Sequence, residues 1–287
     1  MDSARDQIKT PDGLSLAAVK VGTGLEAVLV PNRIYMQPHF GRLAQRHTVV
    51  FYDPRNRGES EPVADASRLA RGIHHEAEDT DAVRRHYEFD RVAILAHSYA
   101  CIAAVLYGMM HPSRVSHLIL IGPPPPDAAK QYPPELKCVD ATMRSFHTAF
   151  ADLQKQAASL SAAETCAKAW ALLRVFYVGN ANDADKLKWE PCGIPNEVNF
   201  MAPLTRYIMP SLTALRFTEA DFAKLRMPTL IVHGRRDRSS PYGGGLDWAA
   251  ALPNAQLLTI DEAAHAPWIE APERVFQEIE KLLSSVG

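Results

Sequence analysis

Short, uninterrupted apolar runs constrain the fold of this chain more than any other feature. Val-Ala-Ile-Leu at 92–95, Leu-Ile-Leu-Ile at 118–121 and Leu-Ile-Val at 230–232 show no apolar-polar alternation. Such strands are buried on both faces, as parallel strands covered by helices are. The sequence therefore predicts an α/β fold with a doubly wound, mostly parallel sheet. Separated by helical stretches, six strands are expected at 27–30, 48–52, 91–95, 117–121, 229–232 and 256–260.

The alternation of strands and helices stops after Ile121 and resumes at Met227, which indicates an inserted segment. The insertion opens with a glycine and four consecutive prolines, which make a stiff exit from the sheet. We expect an inserted helical cap at 124–224 and a core formed by residues 1–123 and 225–287.

Two helices are predicted inside this cap. Residues 135–157 have helical spacing. Ser161-Ala-Ala-Glu164 is a capping box, and it predicts a second helix that ends near Gly179.

The charge balance restricts the partners of the chain. Lys and Arg number 31 and Asp and Glu 33, so the formal net charge is −2. The chain therefore has no excess of positive charge that would attract nucleic acid or an anionic membrane. We expect a small-molecule substrate. The first residues lack a basic segment followed by an apolar one, and no run of about eighteen uncharged apolar residues occurs. These features predict a cytoplasmic protein.

The cysteines favour the same compartment. Cys101, Cys138, Cys166 and Cys192 are widely spaced and include no Cys-x-x-Cys pair. This spacing suggests neither a zinc knuckle nor a disulfide framework, so we expect reduced thiols.

A serine lies at the joint between a buried strand and a helix. In the stretch 91–100 the apolar strand runs directly into a helical segment, and Ser98 stands at the turn with Ala96 and Ala100 on either side. A sharp strand-to-helix turn needs small residues at those two positions. It also exposes the serine hydroxyl and directs helix N-terminal NH groups to the same point. Ser98 is therefore the expected nucleophile.

A histidine and an aspartate follow later strands. His265 follows the last predicted strand, and Asp237 follows the strand 229–232. Carboxyl ends of parallel strands share one edge of the sheet, so both side chains can reach the serine there. We expect His265 to act as general base and Asp237 to accept its Nδ1 proton. Asp127, after the strand 117–121, is an alternative for the acid.

With Ser98, Asp237 and His265 in this chain order, each after a strand, the chain resembles the α/β-hydrolase superfamily over almost its whole length. The stretches 248–256 and 265–273 resemble the proline iminopeptidase-like branch. Membership of that branch does not establish peptidase activity.

A second stretch carries the same resemblance. Residues 53–60, Asp-Pro-Arg-Asn-Arg-Gly-Glu-Ser, are similar to the family's D-x-R-G-x-G-x-S turn. The resemblance implies that Asp53, Arg57 and Ser60 are structural residues and not catalytic ones.

The resemblance also implies an oxyanion hole, but the loop that should supply half of it is unusual. Where the family has His-Gly after its third strand, this chain has Pro31, Asn32 and Arg33. The expected donors are the backbone NH groups of Tyr99 and Arg33, and Pro31 has no NH to offer. Asn32 is the alternative donor. If the Arg33 NH serves, the Arg33 side chain is dispensable for the reaction.

Two other patterns receive simpler interpretations. One pattern that could suggest a metal site consists of His74, His75, Glu76, Glu78 and Asp79. Adjacent histidines on a helix point in different directions, so we expect a solvated helix face and predict neither a metal nor a cofactor. Helical spacing favours a cap core for most of the cap aromatics, with one or two facing the site. These aromatics are Phe146, Phe150, Trp170, Phe176, Tyr177 and Trp189.

These residues favour a serine hydrolase that cleaves an ester, thioester or lactone of a small, largely apolar substrate through an acyl-enzyme. One alternative is a proline iminopeptidase-like aminopeptidase, in which Glu190 or Glu197 would hold the free amine of the substrate. A further alternative is a non-catalytic ligand-binding protein on a hydrolase fold, since the His-Gly loop is missing.

Overall fold

A mixed sheet of eight strands forms the centre of the molecule, within the residues that the computed structural model describes, 5–24, 26–198 and 201–285. The strand order is β1-β2-β4-β3-β5-β6-β7-β8. All pairs from β4 to β8 are parallel, whereas β1 and β2 are antiparallel. The strands are β1 (Asp6–Lys9), β2 (Ser15–Val21), β3 (Ala27–Pro31), β4 (Thr48–Tyr52), β5 (Val92–His97), β6 (Val115–Ile121), β7 (Thr229–Gly234) and β8 (Ala255–Ile260).

Helices cover both faces of this sheet. Along β3, Ala27 and Leu29 pack on one face and Val28 and Val30 on the other, so successive residues are all buried. This explains apolar runs without alternation. The helices are α1 (Arg33–Phe40), α2 (Ile73–His86), α3 (Ala100–Met110), α4 (Ala141–Gln156), α5 (Ala162–Tyr177), α6 (Pro195–Val198), α7 (Met201–Pro203), α8 (Met209–Ala214), α9 (Glu219–Phe222), α10 (Tyr242–Ala251), α11 (Pro267–Glu270) and α12 (Pro272–Leu283).

The predicted α/β fold and its mostly parallel sheet are confirmed, and all six predicted strands are present. β1 and β2, which were not among the predicted strands, form an antiparallel hairpin at the edge of the sheet. β1 has four residues and buries only Ile8 fully, so it carries almost no apolar signal. The hairpin turn depends on Gly13, which has a φ of +85°.

The inserted segment is helical, with α4 to α9 lying between β6 and β7. α5 begins at the predicted capping box, in which Ser161 and Glu164 satisfy each other's backbone NH groups. α4 begins later than expected, at Ala141, because Asp140 caps it by accepting from the NH of Met143 at 2.9 Å. The division of the chain at residues 124 and 224 stays a prediction.

The expectation of four reduced thiols was wrong for two of them. Cys166 on α5 and Cys192 in the short 3₁₀ turn Pro191–Gly193 form a disulfide, with their Cα atoms 5.8 Å apart. They are 26 residues apart in sequence, and the chain returns across α5 after that helix ends. Spacing along the chain could not show this approach in space. The cytoplasmic location that the sequence favoured stays a prediction.

No helix in the described ranges combines the length and apolar character needed to cross a membrane.

We expect the Cys166→Ser, Cys192→Ser double variant to lose about 3 kcal/mol of unfolding free energy, because the closed loop no longer restricts the unfolded chain. Urea denaturation followed by circular dichroism measures this. Cys138→Ser is the matched control, since Cys138 is a free, half-buried cap cysteine. Four reactive thiols in the denatured, unreduced protein would contradict the disulfide.

Candidate active site

Ser98 occupies a strained turn between β5 and α3. Its φ is +58°, a left-handed value that costs a non-glycine residue about 1–2 kcal/mol. The turn is held because the NH of Ser98 donates to the carbonyl oxygen of Ile121, at the end of β6, at 2.9 Å. Ala96 and Ala100 are both buried beside it. The side chain of Ser98 lines a cavity at the carboxyl edge of the sheet.

Asp237 and His265 form a fully buried pair just beyond β7 and β8. Nδ1 of His265 lies 2.7 Å from Oδ2 of Asp237. The other carboxylate oxygen accepts from the backbone NH groups of Ser239 and Ser240, each at 2.8 Å. Burial opposes ionisation of Asp237, but the imidazoles of His265 and His233 hold the pKa of its carboxyl well below its usual range. The carboxylate is therefore charged, and Nδ1 of His265 donates to it.

The other ring nitrogen of His265 is free to act. Nε2 is buried and has no hydrogen-bond partner in the described part of the chain, Ser98 included. The structure thus joins two of the three predicted residues by a hydrogen bond, and the hydrogen bond between Ser98 and His265 is not made. Catalytic hydrogen bonds often form only when substrate is bound.

Gly122 packs against the ring of His265, although from the sequence it was interpreted only as the opening of the inserted segment. It follows β6 with a φ of +56°. A Cβ at this position would lie 3.0 Å from Nδ1 of His265 and 3.3 Å from Oδ2 of Asp237. A glycine directly after a buried strand and before the prolines is the signal that could have identified it.

His97 holds the backbone of His265. Its Nε2 lies 2.9 Å from the carbonyl oxygen of His265, and the two ring centroids are 4.5 Å apart. Burial lowers the pKa of His97 well below its usual range, and the neighbouring His265 adds to this. A neutral His97 therefore donates its Nε2 proton to that carbonyl. His97 also lines the cavity.

The residues proposed for the oxyanion hole follow two adjacent strands, β3 and β5. Asn32, with a φ of +60°, directly precedes α1, and Tyr99 directly precedes α3. The hydroxyl of Tyr99 lies 3.4 Å from Oδ1 of Asn32. Arg33 is the first residue of α1, where backbone NH groups have no intrahelical acceptor. Asn32 and Tyr99 line the cavity, whereas the Arg33 side chain turns away from it.

The Arg33 side chain has a structural task. Its guanidinium pairs with the buried Asp53 at 2.9 Å and also with Glu59. Asp53 is fully buried, so removing Arg33 would leave a buried carboxylate without its cation. Substitution of Arg33 is therefore unsuitable for testing whether its backbone NH acts in the site.

A buried ion pair joins the 53–60 turn to the cap. Arg57 donates from Nε and Nη2 to the two carboxylate oxygens of Glu197 at 2.9 and 3.0 Å. Glu197 also accepts from the hydroxyl of Tyr35 and from the NH of Gly58. Burial would raise the pKa of Glu197, but Arg57, together with the Tyr35 hydroxyl and the NH of Gly58, keeps the pKa below its usual value. Arg57 further donates to the hydroxyl of Tyr99 at 2.9 Å.

The cavity beside Ser98 has a volume of about 500 Å³ and is mostly apolar. Of the predicted cap aromatics, Trp170, Tyr177 and Trp189 line it. Phe146, Phe150 and Phe176 stack on one another inside the cap, with ring centroids 4.2 and 5.4 Å apart. Among the described lining residues none is Asp or Glu.

Asp127 does not contact His265 in the described structure. It is exposed, and its Oδ1 accepts from the NH of Ala129 at 2.9 Å. Glu190 also lies elsewhere, in a separate groove beside Lys188.

The expected solvated face at residues 74–79 was wrong in part. Asp79 is fully buried and accepts from Arg55 at 2.6 and 2.7 Å. Glu76 is also buried, and burial raises its pKa to about 8. The sequence did not indicate this burial, because the residue that neutralises Asp79 is Arg55, which lies far away in sequence. In the described ranges no three or more His, Cys, Asp or Glu side chains come together as metal ligands would.

A family model described as the alpha/beta hydrolase family matches residues 27–278. The chain belongs to the alpha/beta hydrolase family.

Parts of this alpha/beta hydrolase are similar in sequence to two curated relatives. It is 37% identical over 70 residues to 2-hydroxymuconate semialdehyde hydrolase of Pseudomonas putida, which is 24% of this chain and 25% of that protein. It is 36% identical over 64 residues to the pimeloyl-[acyl-carrier protein] methyl ester esterase of Xanthomonas campestris pv. campestris, 22% of this chain and 25% of that protein. The matches thus span about a quarter of these relatives.

A solved structure shares the whole fold. An esterase from Exiguobacterium antarcticum superimposes with a TM-score of 0.72 at 17% identity, covering 98% of this chain and 100% of the other.

We expect Gly122→Ala to lower kcat for ester hydrolysis about 10- to 100-fold, because the new methyl group displaces His265 and a left-handed backbone disfavours alanine. Gly41→Ala is the matched control, since it has a φ of −56° and no atom within 4 Å of the added Cβ. Steady-state kinetics and thermal unfolding of both variants measure the effect. Equal kcat values for Gly122→Ala and the wild type would contradict the supporting role of Gly122.

Proposed function

We propose that this protein is a serine hydrolase that cleaves an ester, thioester or lactone of a small, largely apolar substrate. The observation that carries the proposal is the buried Asp237–His265 hydrogen bond of 2.7 Å beside a serine in a strained turn. An aspartate that accepts from Nδ1 fixes the tautomer of the neutral imidazole in which Nε2 can take a proton. This arrangement is typical of nucleophilic catalysis by serine.

In the proposed reaction, Oγ of Ser98 attacks the substrate carbonyl carbon while Nε2 of His265 takes the hydroxyl proton. Asp237 stabilises the imidazolium that forms. The tetrahedral intermediate collapses, and His265 gives the proton to the leaving alcohol, thiol or lactone oxygen. Water then attacks the acyl-enzyme with the same base, and the acid is released as Ser98 regains its proton.

The backbone NH groups of Tyr99 and Arg33 are proposed to hold the developing oxyanion. Both stand at helix N-termini, where the helix dipole favours a negative charge. Neighbouring strands β3 and β5 lead to them, and the Asn32 and Tyr99 side chains meet at 3.4 Å. Asn32 remains the alternative donor, since it lines the cavity.

The apolar cavity supports a small organic ester. Trp170, Tyr177 and Trp189 supply apolar walls near Ser98, and such cavities bind substrates by burying apolar surface. One curated relative is named as a methyl ester esterase, which agrees with ester chemistry. We propose the cap at 124–224 as the part that encloses the substrate.

The aminopeptidase alternative has less support. Glu197 is fully buried and already binds Arg57, Tyr35 and the NH of Gly58, so it has no free oxygen to offer a substrate amine. Glu190 lies in a separate groove. The resemblance to the proline iminopeptidase-like branch therefore stays a prediction without a residue to hold the amine.

Labelling with a fluorophosphonate tests the proposal. We expect Ser98→Ala to lose the covalent label and at least about 1,000-fold of nitrophenyl butyrate turnover, because the attacking oxygen is gone. Ser239→Ala is the matched control, since Ser239 lines the same cavity and contributes its backbone NH to Asp237. Unchanged labelling of Ser98→Ala would overturn Ser98 as the nucleophile, and no labelling of the wild type would favour the non-catalytic alternative.

We expect Asp237→Asn to lower kcat by about three to four orders of magnitude, because an amide cannot accept the Nδ1 proton and stabilise the imidazolium. Asp127→Asn should change kcat by less than about twofold, since Asp127 is exposed and does not contact His265. Steady-state kinetics on one nitrophenyl ester compare the two variants. The reverse ranking would move the acid to Asp127.

A further inference from the structure

Three cationic side chains and no carboxylate line the described wall of the cavity. The cations belong to Arg57, Lys130 and Lys137. A low-dielectric cavity bordered by one sign of charge favours a ligand of the other sign. Which of these cations is available depends on the partners that each already has.

Arg57 and Lys130 are neutralised by the protein. Arg57 forms the bidentate pair with Glu197 described above. Nζ of Lys130 lies 2.7 Å from a carboxylate oxygen of Asp247 and also sits over the ring of Tyr132. A substrate anion would have to compete with these partners.

Lys137 has neither an ion pair nor a side-chain hydrogen bond among the residues described. It is half-buried, between the 3₁₀ turn Pro134–Leu136 and the Asp140 that caps α4. The carboxylate of Asp140 is occupied by Arg238 at 2.7 Å. Lys137 therefore borders the cavity without a counter-ion from the described chain.

We propose that Lys137 binds a carboxylate carried by the substrate at a distance from the scissile bond. This inference rests on the proposed function and narrows its substrate class to esters with a free carboxylate. The apolar walls take the carbon chain, Ser98 takes the ester carbonyl, and Lys137 takes the charged end. Such a substrate also explains a cavity with no acidic lining residue, because a carboxylate there would repel it.

The test compares esters of equal length that differ in charge. The substrates are nitrophenyl hydrogen adipate, with the carboxylate on the acyl side, carboxyphenyl hexanoate, with it on the alcohol side, and nitrophenyl hexanoate, which is neutral. The readout is the ratio of kcat/KM for each charged ester to that for the neutral one. We expect Lys137→Met to lower this ratio about 10- to 100-fold for the ester whose carboxylate is on the correct side, because a charge-assisted hydrogen bond is lost.

Two control variants show whether the change in the ratio is specific to Lys137. Lys155→Met removes an exposed cap lysine and should leave the ratio unchanged. Lys130→Met removes a lining lysine that is already paired, and its effect should be smaller than that of Lys137→Met. A ratio that is unchanged in Lys137→Met, or that falls further in Lys130→Met, would overturn the proposal.

A binding measurement separates this inference from the proposed catalysis. Adipic acid monoanilide and the neutral hexananilide are titrated calorimetrically into the Ser98→Ala protein with and without Lys137→Met, together with 4-carboxyphenyl hexanamide for the alcohol side. If Lys137→Met weakens the binding of a charged amide about tenfold or more relative to the neutral one, the lysine binds carboxylates whether or not Ser98 is a nucleophile. Equal weakening of charged and neutral amides would show a merely structural role and would overturn the inference, even if fluorophosphonate labels Ser98.

Discussion

Three neighbouring parallel strands leave the sheet through left-handed backbone, and the rest of the candidate site depends on this constraint. β3, β5 and β6 end before Asn32, Ser98 and Gly122, whose φ values are +60°, +58° and +56°. Each turn redirects the chain sharply at the same edge of the sheet. Two of these residues carry side chains and so store strain of about 1–2 kcal/mol each, which the buried strands on either side hold in place. The cavity opens where these turns meet.

The ion pair between Arg57 and Glu197 connects this edge to the cap. One partner comes from the turn after β4 and the other from α6, and Glu197 is fully buried. Breaking a buried, hydrogen-bonded pair by removing one partner typically costs about 3–5 kcal/mol. Because Arg57 also holds the hydroxyl of Tyr99, the residue after Ser98, the pair fixes the cap and the serine turn relative to each other. Arg57 was predicted to be structural, and Glu197 was an alternative for binding a substrate amine. In the structure both residues hold the cap against the serine turn.

Much of the fold could be predicted because its signals are local. Apolar runs of four to six residues mark the strands that are buried on both faces, and capping residues such as Ser161 mark where helices begin. The sequence also places Ser98, Asp237 and His265 after β5, β7 and β8, and the sheet brings the ends of those strands to one edge. The short edge hairpin could not be predicted, because its first strand buries only one residue fully.

The sequence by itself determined the α/β fold, the positions of the parallel strands and the residues that follow each strand. Only the tertiary structure decided which distant side chains became partners: Arg57 with Glu197, Arg55 with Asp79, and Cys166 with Cys192. It also decided that Gly122 lies against His265 and that Lys137 borders the cavity without a counter-ion from the described residues. The physical reason is that burial and capping act between residues close in sequence, whereas ion pairs, disulfides and cavities depend on distances in space that the chain sets only when it is folded.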